Sequence, residues 1–290
     1  MKLLFILGMQ KSGTSLLNRM LMQQSQINNP FLPEGKFFWG DNPPFTPVDE
    51  PCGKLYQSHT GKKGHSLDES DFNIDDQNLL IRRIEAANVS EPILMNKNPY
   101  NSVRIKWLKS IFPNCKIVVI YRNPIANVYS LLKKYDNSNN QKVGPEDGWW
   151  GIKPKNWQSL LSDNKVSQCS HQWLSVNNQI LQDIDDVDLL LSYSRLCLSP
   201  NDIINKVISL CNIDSNVSNI PKCKNFNKEY LVGSRLLSKN TELRKTNSFE
   251  INNLKETIEF PPLSSNEVNE INLITQNKLK QLNKTEKKFF

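Results

Sequence analysis

Apolar residues in this chain of 290 residues gather in short runs that alternate with amphipathic segments. Runs typical of buried strands lie at residues 2 to 8, Ile93 to Met95, Lys116 to Tyr121 and Val187 to Tyr193. Segments with helical spacing of apolar positions lie at 14 to 25, 76 to 87, 100 to 112, 124 to 135, 166 to 183 and 201 to 211. This alternation predicts an α/β fold in which a parallel sheet is flanked by helices.

Two long segments, 27 to 72 and 137 to 164, interrupt the alternation and are rich in aromatic residues. Segments of this length without periodicity are usually binding loops or disordered, and their aromatic content favours binding. Near the end of the chain, Ser264 and Glu267 match a capping box and predict a last helix over 265 to 284. We expect one domain over 1 to 290, with its core in 1 to 212 and a basic segment and terminal helix in 213 to 290.

The composition limits the classes of partner without naming one. Lysine and arginine number 36 against 29 acidic residues, which gives a formal net charge of +7. An excess of this kind attracts anionic ligands, so a nucleotide, a polyanionic glycan and a nucleic acid all remain open. No apolar run approaches the roughly 18 residues that cross a bilayer, and the first apolar run is too short for a secretory signal. We therefore expect a soluble cytoplasmic protein, unless an anchor lies outside this sequence, with free cysteines.

The turn after the first predicted strand carries a phosphate-binding pattern. Residues 8 to 15 read Gly-Met-Gln-Lys-Ser-Gly-Thr-Ser and lead into a helix. Glycines allow such a loop to curl, so that backbone N–H groups and the helix N-terminus face one anion. The spacing of Gly8 and Gly13 equals that of a Walker A loop, but Thr14 follows the second glycine and the lysine has moved back to Lys11. A lysine inside the loop can lie over a group attached to a single 5′-phosphate.

A second pattern follows the predicted strand 116 to 121. Arg122 leaves the strand end, Pro124 stands where a helix can begin, and Ser130 lies about two helical turns further on. Open α/β sheets bind ligands at the carboxyl ends of their strands. The serine hydroxyl is therefore expected to point toward an anion that the arginine holds.

The two motifs together resemble the superfamily of sulfotransferases that use 3′-phosphoadenosine 5′-phosphosulfate (PAPS), and are closest to the glycan, heparan sulfate and tyrosylprotein types. The resemblance runs from Gly8 to about Pro200. It implies a P-loop-like single domain that transfers a sulfuryl group, without a metal, to a hydroxyl of a glycan, peptide or small molecule. The residues it assigns to the donor's 5′-phosphosulfate are Lys11, Ser12, Gly13, Thr14 and Ser15. Arg122 and Ser130 are assigned to the 3′-phosphate.

The resemblance also nominates a base and an assisting lysine. Glu34, followed by two phenylalanines, is similar to the catalytic segment of the heparan sulfate enzymes, and an apolar setting would raise the pKa of its carboxyl group. Lys97, at the end of the second predicted strand, resembles the Lys-Thr-Pro lysine of the glycan enzymes and is expected near the transferred group. His59 and His65 are competing bases, because small-molecule sulfotransferases use a histidine from a comparable loop. His171 is expected to be structural.

Other residues have weaker assignments. Tyr193 resembles the family's strand-end tyrosine beside the adenine, although the acidic residues that normally follow it are absent here. Trp149 and Trp150 are expected either to form an acceptor wall or to pin a loop to the core. Basic residues Lys228, Arg235 and Lys239 could cap the 3′-phosphate.

Two other functions remain open from the sequence. A P-loop nucleoside or small-molecule kinase shares the strand–loop–helix unit, but this chain lacks the Walker A lysine and a clear magnesium-binding aspartate. A non-enzymatic binder of polyanions would account for the net charge, but no recognition motif accompanies it. We expect no nucleic-acid partner, and the sequence specifies neither the acceptor nor the oligomeric state.

Overall fold

Five parallel strands form one sheet in the computed structural model, which describes residues 1–31, 36–39, 62–135, 147–213 and 263–290. They are β1 (Lys2–Leu7), β2 (Ile27–Asn28), β3 (Ile93–Lys97), β4 (Lys116–Tyr121) and β5 (Leu189–Ser192), arranged in the order β2-β3-β1-β4-β5. The pairing places Ile6 beside both Lys97 and Val118, and Tyr121 beside Ser192. The predicted α/β fold is therefore confirmed.

Helices cover both faces of this sheet. They are α1 (Thr14–Leu21), α2 (Lys36–Trp39), α3 (Ile74–Ala86), α4 (Ile105–Ile111), α5 (Pro124–Leu132), α6 (Lys165–Gln182), α7 (Tyr193–Leu198), α8 (Pro200–Leu210) and α9 (Ser265–Glu286). Short 3₁₀ helices span Glu69–Asp71, Pro99–Val103, Trp157–Leu160 and Ile184–Asp186. In the described part of the chain, no helix is both long and apolar enough to cross a membrane.

Alternate residues of the central strands enter two separate hydrophobic cores. Leu4 and Ile6 pack with α1, α7 and α8, whereas Phe5 and Leu7 pack with helices that include α4, α5, α6 and α9. Burial on both faces explains why β1 and β4 read as continuous apolar runs rather than as alternating ones. The cores fix the strand ends, and the loops that leave those ends carry the predicted site.

Several element boundaries differ from the sequence prediction. The first helix ends at Leu21 rather than at residue 25, because the chain turns there and Ile27 donates its N–H to the carbonyl of Gln24 (3.1 Å). The turn is also held by Asn29, whose amide donates to the Asn18 side chain at 2.8 Å. This turn leads into β2, a short strand inside the segment that was predicted to be a loop.

The predicted helix over 100 to 112 is interrupted at Arg104. Its backbone is not helical (φ −141°, ψ 21°), and its buried side chain donates to the carbonyl oxygen of His65 at 2.7 Å. The predicted strand over 187 to 193 contracts to β5 because the Ser192 hydroxyl caps α7 by accepting the N–H of Arg195 (3.2 Å). Tyr193 therefore begins a helix instead of ending a strand.

Candidate functional site

The predicted site residues that the structure describes lie at or next to the ends of four parallel strands. β1 leads into residues 8 to 15, named here the first loop, and β3 ends at Lys97. β4 is followed by Arg122 and β5 by Tyr193. Since the carboxyl ends of parallel strands meet at one edge of the sheet, segments far apart in sequence come together there.

Two glycines of the first loop are required by its conformation. Gly8 has φ +144°, and a Cβ atom at this position would lie 2.2 Å from the carbonyl oxygen of Ile120. Gly13 has φ +110°, and its Cβ would lie 2.4 Å from a ring carbon of Tyr193. Any other residue would combine backbone strain with a collision at either position. The loop is thus in direct contact with β4 and with the start of α7.

The backbone amides of the first loop have two different roles. Gly8 donates its N–H to the Ser102 hydroxyl (2.8 Å), and Ser12 donates its N–H to the carbonyl of Met9 (3.1 Å), so both amides hold the loop itself. Thr14 and Ser15 are in the first turn of α1, where N–H groups have no acceptor inside the helix. An anion at this position would be bound by these first-turn amides and by the positive end of the helix dipole.

Ser12 and Lys97 place two polar side chains beside this helix start. Ser12 is 1% exposed, and its hydroxyl has no hydrogen-bond partner among the described residues. Lys97 is 4% exposed and donates from Nζ to the Ser15 hydroxyl at 3.2 Å. A buried hydroxyl without a described partner and a buried ammonium group both favour an oxyanion as a ligand here.

The strand-end cluster, defined as Arg122, Ser130 and Tyr193, lies next to the first loop. Arg122 Nη1 donates to the Ser130 hydroxyl at 3.4 Å and to the carbonyl of Lys11 at 3.1 Å. The guanidinium carbon lies 4.6 Å from the centroid of the Tyr193 ring. Trp173 donates its indole N–H to the carbonyl of Arg122 at 3.1 Å, which fixes the backbone at the strand end. The structure therefore brings Tyr193, which the sequence analysis assigned separately, next to the motif pair Arg122 and Ser130.

The charge of the strand-end cluster is not neutralised within the described residues. Arg122 contacts a carbonyl, a hydroxyl and an aromatic ring, but no described carboxylate lies within ion-pair distance of it. Burial lowers the pKa of its guanidinium, which nevertheless stays charged because the ordinary value is so high. Burial raises the pKa of the Tyr193 phenol, which is therefore neutral. A partly buried cation of this kind favours an anionic ligand.

Trp150 lies beside Lys11 of the first loop, whereas Trp149 and Trp157 are buried away from that loop. Lys11 Nζ lies 5.7 Å from the centroid of the Trp150 ring, and Lys134 Nζ lies 5.2 Å from it. Gln172 donates to the Trp150 carbonyl at 2.9 Å, and Trp150 donates its N–H to the Tyr135 hydroxyl at 2.8 Å. Buried Trp149 and Trp157 pack edge to face with each other. Of the predicted aromatic wall, only Trp150 is half-buried beside Lys11.

Two histidines occupy structural positions. His65 is 3% exposed, and its Nδ1 accepts the backbone N–H of Lys153 at 2.7 Å. Burial, assisted by the charges of Arg104 and Lys153, lowers the pKa of His65 to about 2. A neutral, enclosed imidazole with its acceptor nitrogen already engaged is poorly suited to take a proton from a substrate. His171 contacts the carbonyl of Ser167 on its own helix, as expected for a structural residue.

Several predicted residues lie outside the described part of the chain. They are the proposed base Glu34, its competitor His59, and the basic residues Lys228, Arg235 and Lys239. In the part that is described, no three His, Cys, Asp or Glu side chains gather into a group that could hold a metal ion. The four described cysteines, Cys115, Cys169, Cys197 and Cys211, are free, in agreement with the sequence prediction.

Sequence reasoning missed the residues that support the site from a distance. Ser102 holds the first loop through Gly8, and Asn127 donates to the carbonyl of Gln10 at 3.2 Å. Glu286, on α9, contacts the ends of both β4 and β5. No local pattern marks these residues, although Asn127 lies within the same Arg-x-Pro segment that indicated Arg122.

Comparison with known proteins assigns the family. A family model described as "Sulfotransferase family" matches residues 4–216. An "Uncharacterized protein" of Aquifex aeolicus (strain VF5) is 21% identical over 217 residues, which are 72% of this chain but only 25% of that protein. A sulfotransferase from Alicyclobacillus acidocaldarius has a TM-score of 0.45 at 14% identity, covering 85% of this chain and 99% of its own. The sulfotransferase domain of the Synechococcus PCC 7002 olefin synthase has a TM-score of 0.47 at 16% identity, with coverages of 98% and 94%. Since the family model matches well over half of its length, the chain belongs to the sulfotransferase family.

Proposed function

We propose that this protein transfers a sulfuryl group from PAPS to an acceptor hydroxyl. The observation that carries the proposal is the arrangement of Arg122 and Ser130, 3.4 Å apart beside the start of α1, with no described carboxylate to neutralise the guanidinium. Such a site offers charge-assisted hydrogen bonds to a second phosphate on a nucleotide whose 5′ end binds at the helix. A 3′-phosphate distinguishes PAPS from ATP and ADP.

The remaining described residues fit this donor. Lys11, Ser12, Gly13, Thr14 and Ser15 form the surface for the 5′-phosphosulfate, and the unpartnered Ser12 hydroxyl supports an oxyanion there. Tyr193 contacts both Gly13 and the guanidinium of Arg122, so its ring lies between the two anion sites and can flank the nucleoside. When bound, the donor supplies an activated sulfuryl group.

The chain's own residues account for the rest of the reaction. A bond forms between the acceptor oxygen and sulfur while the bond from sulfur to the phosphate oxygen breaks, and the acceptor proton passes to Glu34. Glu34 has this role by resemblance, and it lies outside the described residues. Lys11 and Lys97 stabilise the negative charge that develops around the leaving phosphate oxygen. Lys97 is already held at the helix start through Ser15.

Trp150 is the described residue best placed to meet an acceptor. Its ring is half-buried beside Lys11, and Gln172 and Tyr135 fix its backbone. Aromatic rings suit the apolar faces of sugars as well as peptide and small-molecule side groups. The acceptor class is therefore a hydroxyl compound with an apolar face, with a glycan, a peptide and a small molecule as its members.

Ligand-dependent thermal stability tests this function. At equal concentration, a ligand that binds the folded state more tightly stabilises it more, and 3′-phosphoadenosine 5′-phosphate differs from AMP only by the 3′-phosphate. We expect the 3′-phosphorylated nucleotide to raise the melting temperature without magnesium, and to raise it more than AMP or ADP does. Equal shifts from all three would remove the donor assignment, and a larger shift from ATP with magnesium would favour the kinase.

A further inference from the structure

Glu286 places a buried carboxylate between the strand ends that carry the strand-end cluster. It is 6% exposed, near the end of α9. Its Oε1 accepts the backbone N–H of Ser192 at 2.7 Å and the Nε–H of Arg195 at 2.9 Å. Its Oε2 accepts the hydroxyl of Tyr121 at 2.8 Å. One side chain from the last helix thus binds β4, β5 and α7 together.

Two of these partners directly precede the residues of the strand-end cluster. Tyr121 is followed by Arg122, and Ser192 is followed by Tyr193. Tyr121 and Ser192 are also register partners in the sheet, so Glu286 joins a matched pair of strand residues. One residue beyond that pair, the Arg122 guanidinium lies over the Tyr193 ring at 4.6 Å. A shift of either strand end would therefore change the position of the guanidinium.

The chemistry of this contact favours a geometric role over a purely stabilising one. A buried carboxylate is costly to desolvate, and apolar side chains of similar size often stabilise a protein as well or better. Glu286 instead accepts three directional hydrogen bonds, and the Asn283 side-chain oxygen, 2.8 Å from the Tyr121 hydroxyl, is an alternative acceptor for the same proton. Burial, together with the nearby Glu286 carboxylate, raises the pKa of Tyr121, so its hydroxyl remains a donor. Directional bonds to both strands restrict their relative position.

We propose that Glu286 is a positioning residue that sets Arg122 and Tyr193 in the geometry that binds a 3′-phosphate. This inference rests on the proposed function, because it requires the strand-end cluster to bind that phosphate. Glu286 acts through Tyr121 and Ser192 and does not itself touch the nucleotide. The last helix therefore contributes to nucleotide selectivity, although no residue of it is assigned to the site by motif.

Calorimetric titration with 3′-phosphoadenosine 5′-phosphate and with AMP tests the proposal. Glu286→Gln keeps the shape of the side chain but removes its charge and one of its acceptor oxygens. We expect it to weaken binding of the 3′-phosphorylated nucleotide about five- to tenfold, as for the loss of one to two good hydrogen bonds, and AMP binding by no more than about twofold. Tyr121→Phe removes one donor only and should reduce the same selectivity by a smaller factor.

A double-mutant cycle distinguishes positioning from general destabilisation. If Glu286 acts through Arg122, then Glu286→Gln has no further effect on nucleotide binding in the Arg122→Ala background. Glu270→Gln is the matched control, since Glu270 is a half-buried carboxylate on the same helix whose partner is Asn164. This control should leave the preference for the 3′-phosphorylated nucleotide unchanged.

The outcomes separate this proposal from the function on which it rests. If the wild-type protein binds both nucleotides equally, the proposed function fails and the positioning role fails with it. If the wild type prefers the 3′-phosphorylated nucleotide, but Glu286→Gln and Tyr121→Phe keep the full preference, only the positioning role is overturned. Additive effects of Glu286→Gln and Arg122→Ala would likewise overturn it. A selective loss that disappears in the Arg122→Ala background supports it.

Discussion

The first loop and the strand-end cluster lie side by side, but they are built in different ways. The first loop is a single continuous segment between β1 and α1, and its shape follows from Gly8 and Gly13. The strand-end cluster combines Arg122, which directly follows β4, with residues from α5 and α7, and a carboxylate from α9 joins its supporting strands. Under the proposed function, the surface for the donor's 5′ end comes from one contiguous segment, while the surface for its 3′-phosphate comes from segments that only the tertiary fold brings together.

The proposed base, Glu34, belongs to neither the first loop nor the strand-end cluster, and its replacement has the largest expected effect on turnover. Glu34→Gln keeps the shape of the side chain but cannot accept a proton. Turnover is expected to fall by about 10²- to 10⁴-fold while nucleotide affinity stays nearly constant. Sulfated product formed from labelled donor, after a screen of glycans, peptides and small alcohols, provides the measurement. His59→Ala is the matched control, and the base assignment would move to His59 if only that variant lost activity.

Lys11→Ala tests whether the first loop acts on the transferred group. Loss of one preorganised donor at a developing negative charge is expected to reduce turnover by about 10²- to 10³-fold. Binding of 3′-phosphoadenosine 5′-phosphate, which lacks the sulfuryl group, should change much less. Lys134→Ala is the control, because its ammonium group lies over the same Trp150 ring. Equal turnover in the two variants would show that Lys11 is not beside the sulfuryl group.

Arg122→Ala tests the strand-end cluster. In contrast to Lys11→Ala, it is expected to change nucleotide binding. Nucleotide binding is expected to weaken by about 1.5 to 3 kcal/mol, the range for hydrogen bonds to charged groups. The effect should appear with 3′-phosphoadenosine 5′-phosphate and be small with AMP. Calorimetric titration measures both, and Arg82→Ala, at an exposed position of α3, serves as the control. An unchanged affinity for the 3′-phosphorylated nucleotide would contradict the division of roles between the two regions.

The smallest expected effect is on stability and involves His65. This residue accepts the N–H of Lys153, in the same segment as Trp150. Its folded-state pKa of about 2 lies below the ordinary value of 6.5, so the unfolded chain binds the extra proton first. This contribution to stability is complete above pH 6.5 and decreases as the pH falls toward 2. Between about pH 7.5 and pH 5.5 we expect a loss of about 1 kcal/mol from this group.

Urea unfolding at the two pH values measures this loss. His65→Asn is the suitable variant, because asparagine can still accept the N–H of Lys153 but does not titrate. The wild type should lose more stability on acidification than the variant does. Parallel losses in the two proteins would mean that the histidine is not held neutral.

The different origins of the two regions explain what the sequence could predict. The first loop could be recognised because its residues are contiguous, and β1 and β4 because burial on both faces makes their sequences uniformly apolar. The position of Trp150 beside Lys11 could not be predicted from sequence, because Trp149 is adjacent and equally aromatic but is buried against Trp157. Tyr193 was predicted on a strand from the local apolar pattern. It begins α7 instead, because the cap that Ser192 provides outweighs that pattern.

The separation of Tyr121 and Glu286 by 165 residues also has a consequence for folding order. Contacts between distant parts of a chain form later, on average, than local ones, because the entropy of closing a long loop must be overcome first. α1 can form among neighbouring residues, and the first loop needs Ser102, 94 positions from Gly8, whereas the contacts of Glu286 with the strand ends form only after α9 has docked. The complete binding site for a nucleotide with a 3′-phosphate would then form only in the last folding step. Such a nucleotide would stabilise the folded protein without accelerating the early steps of folding.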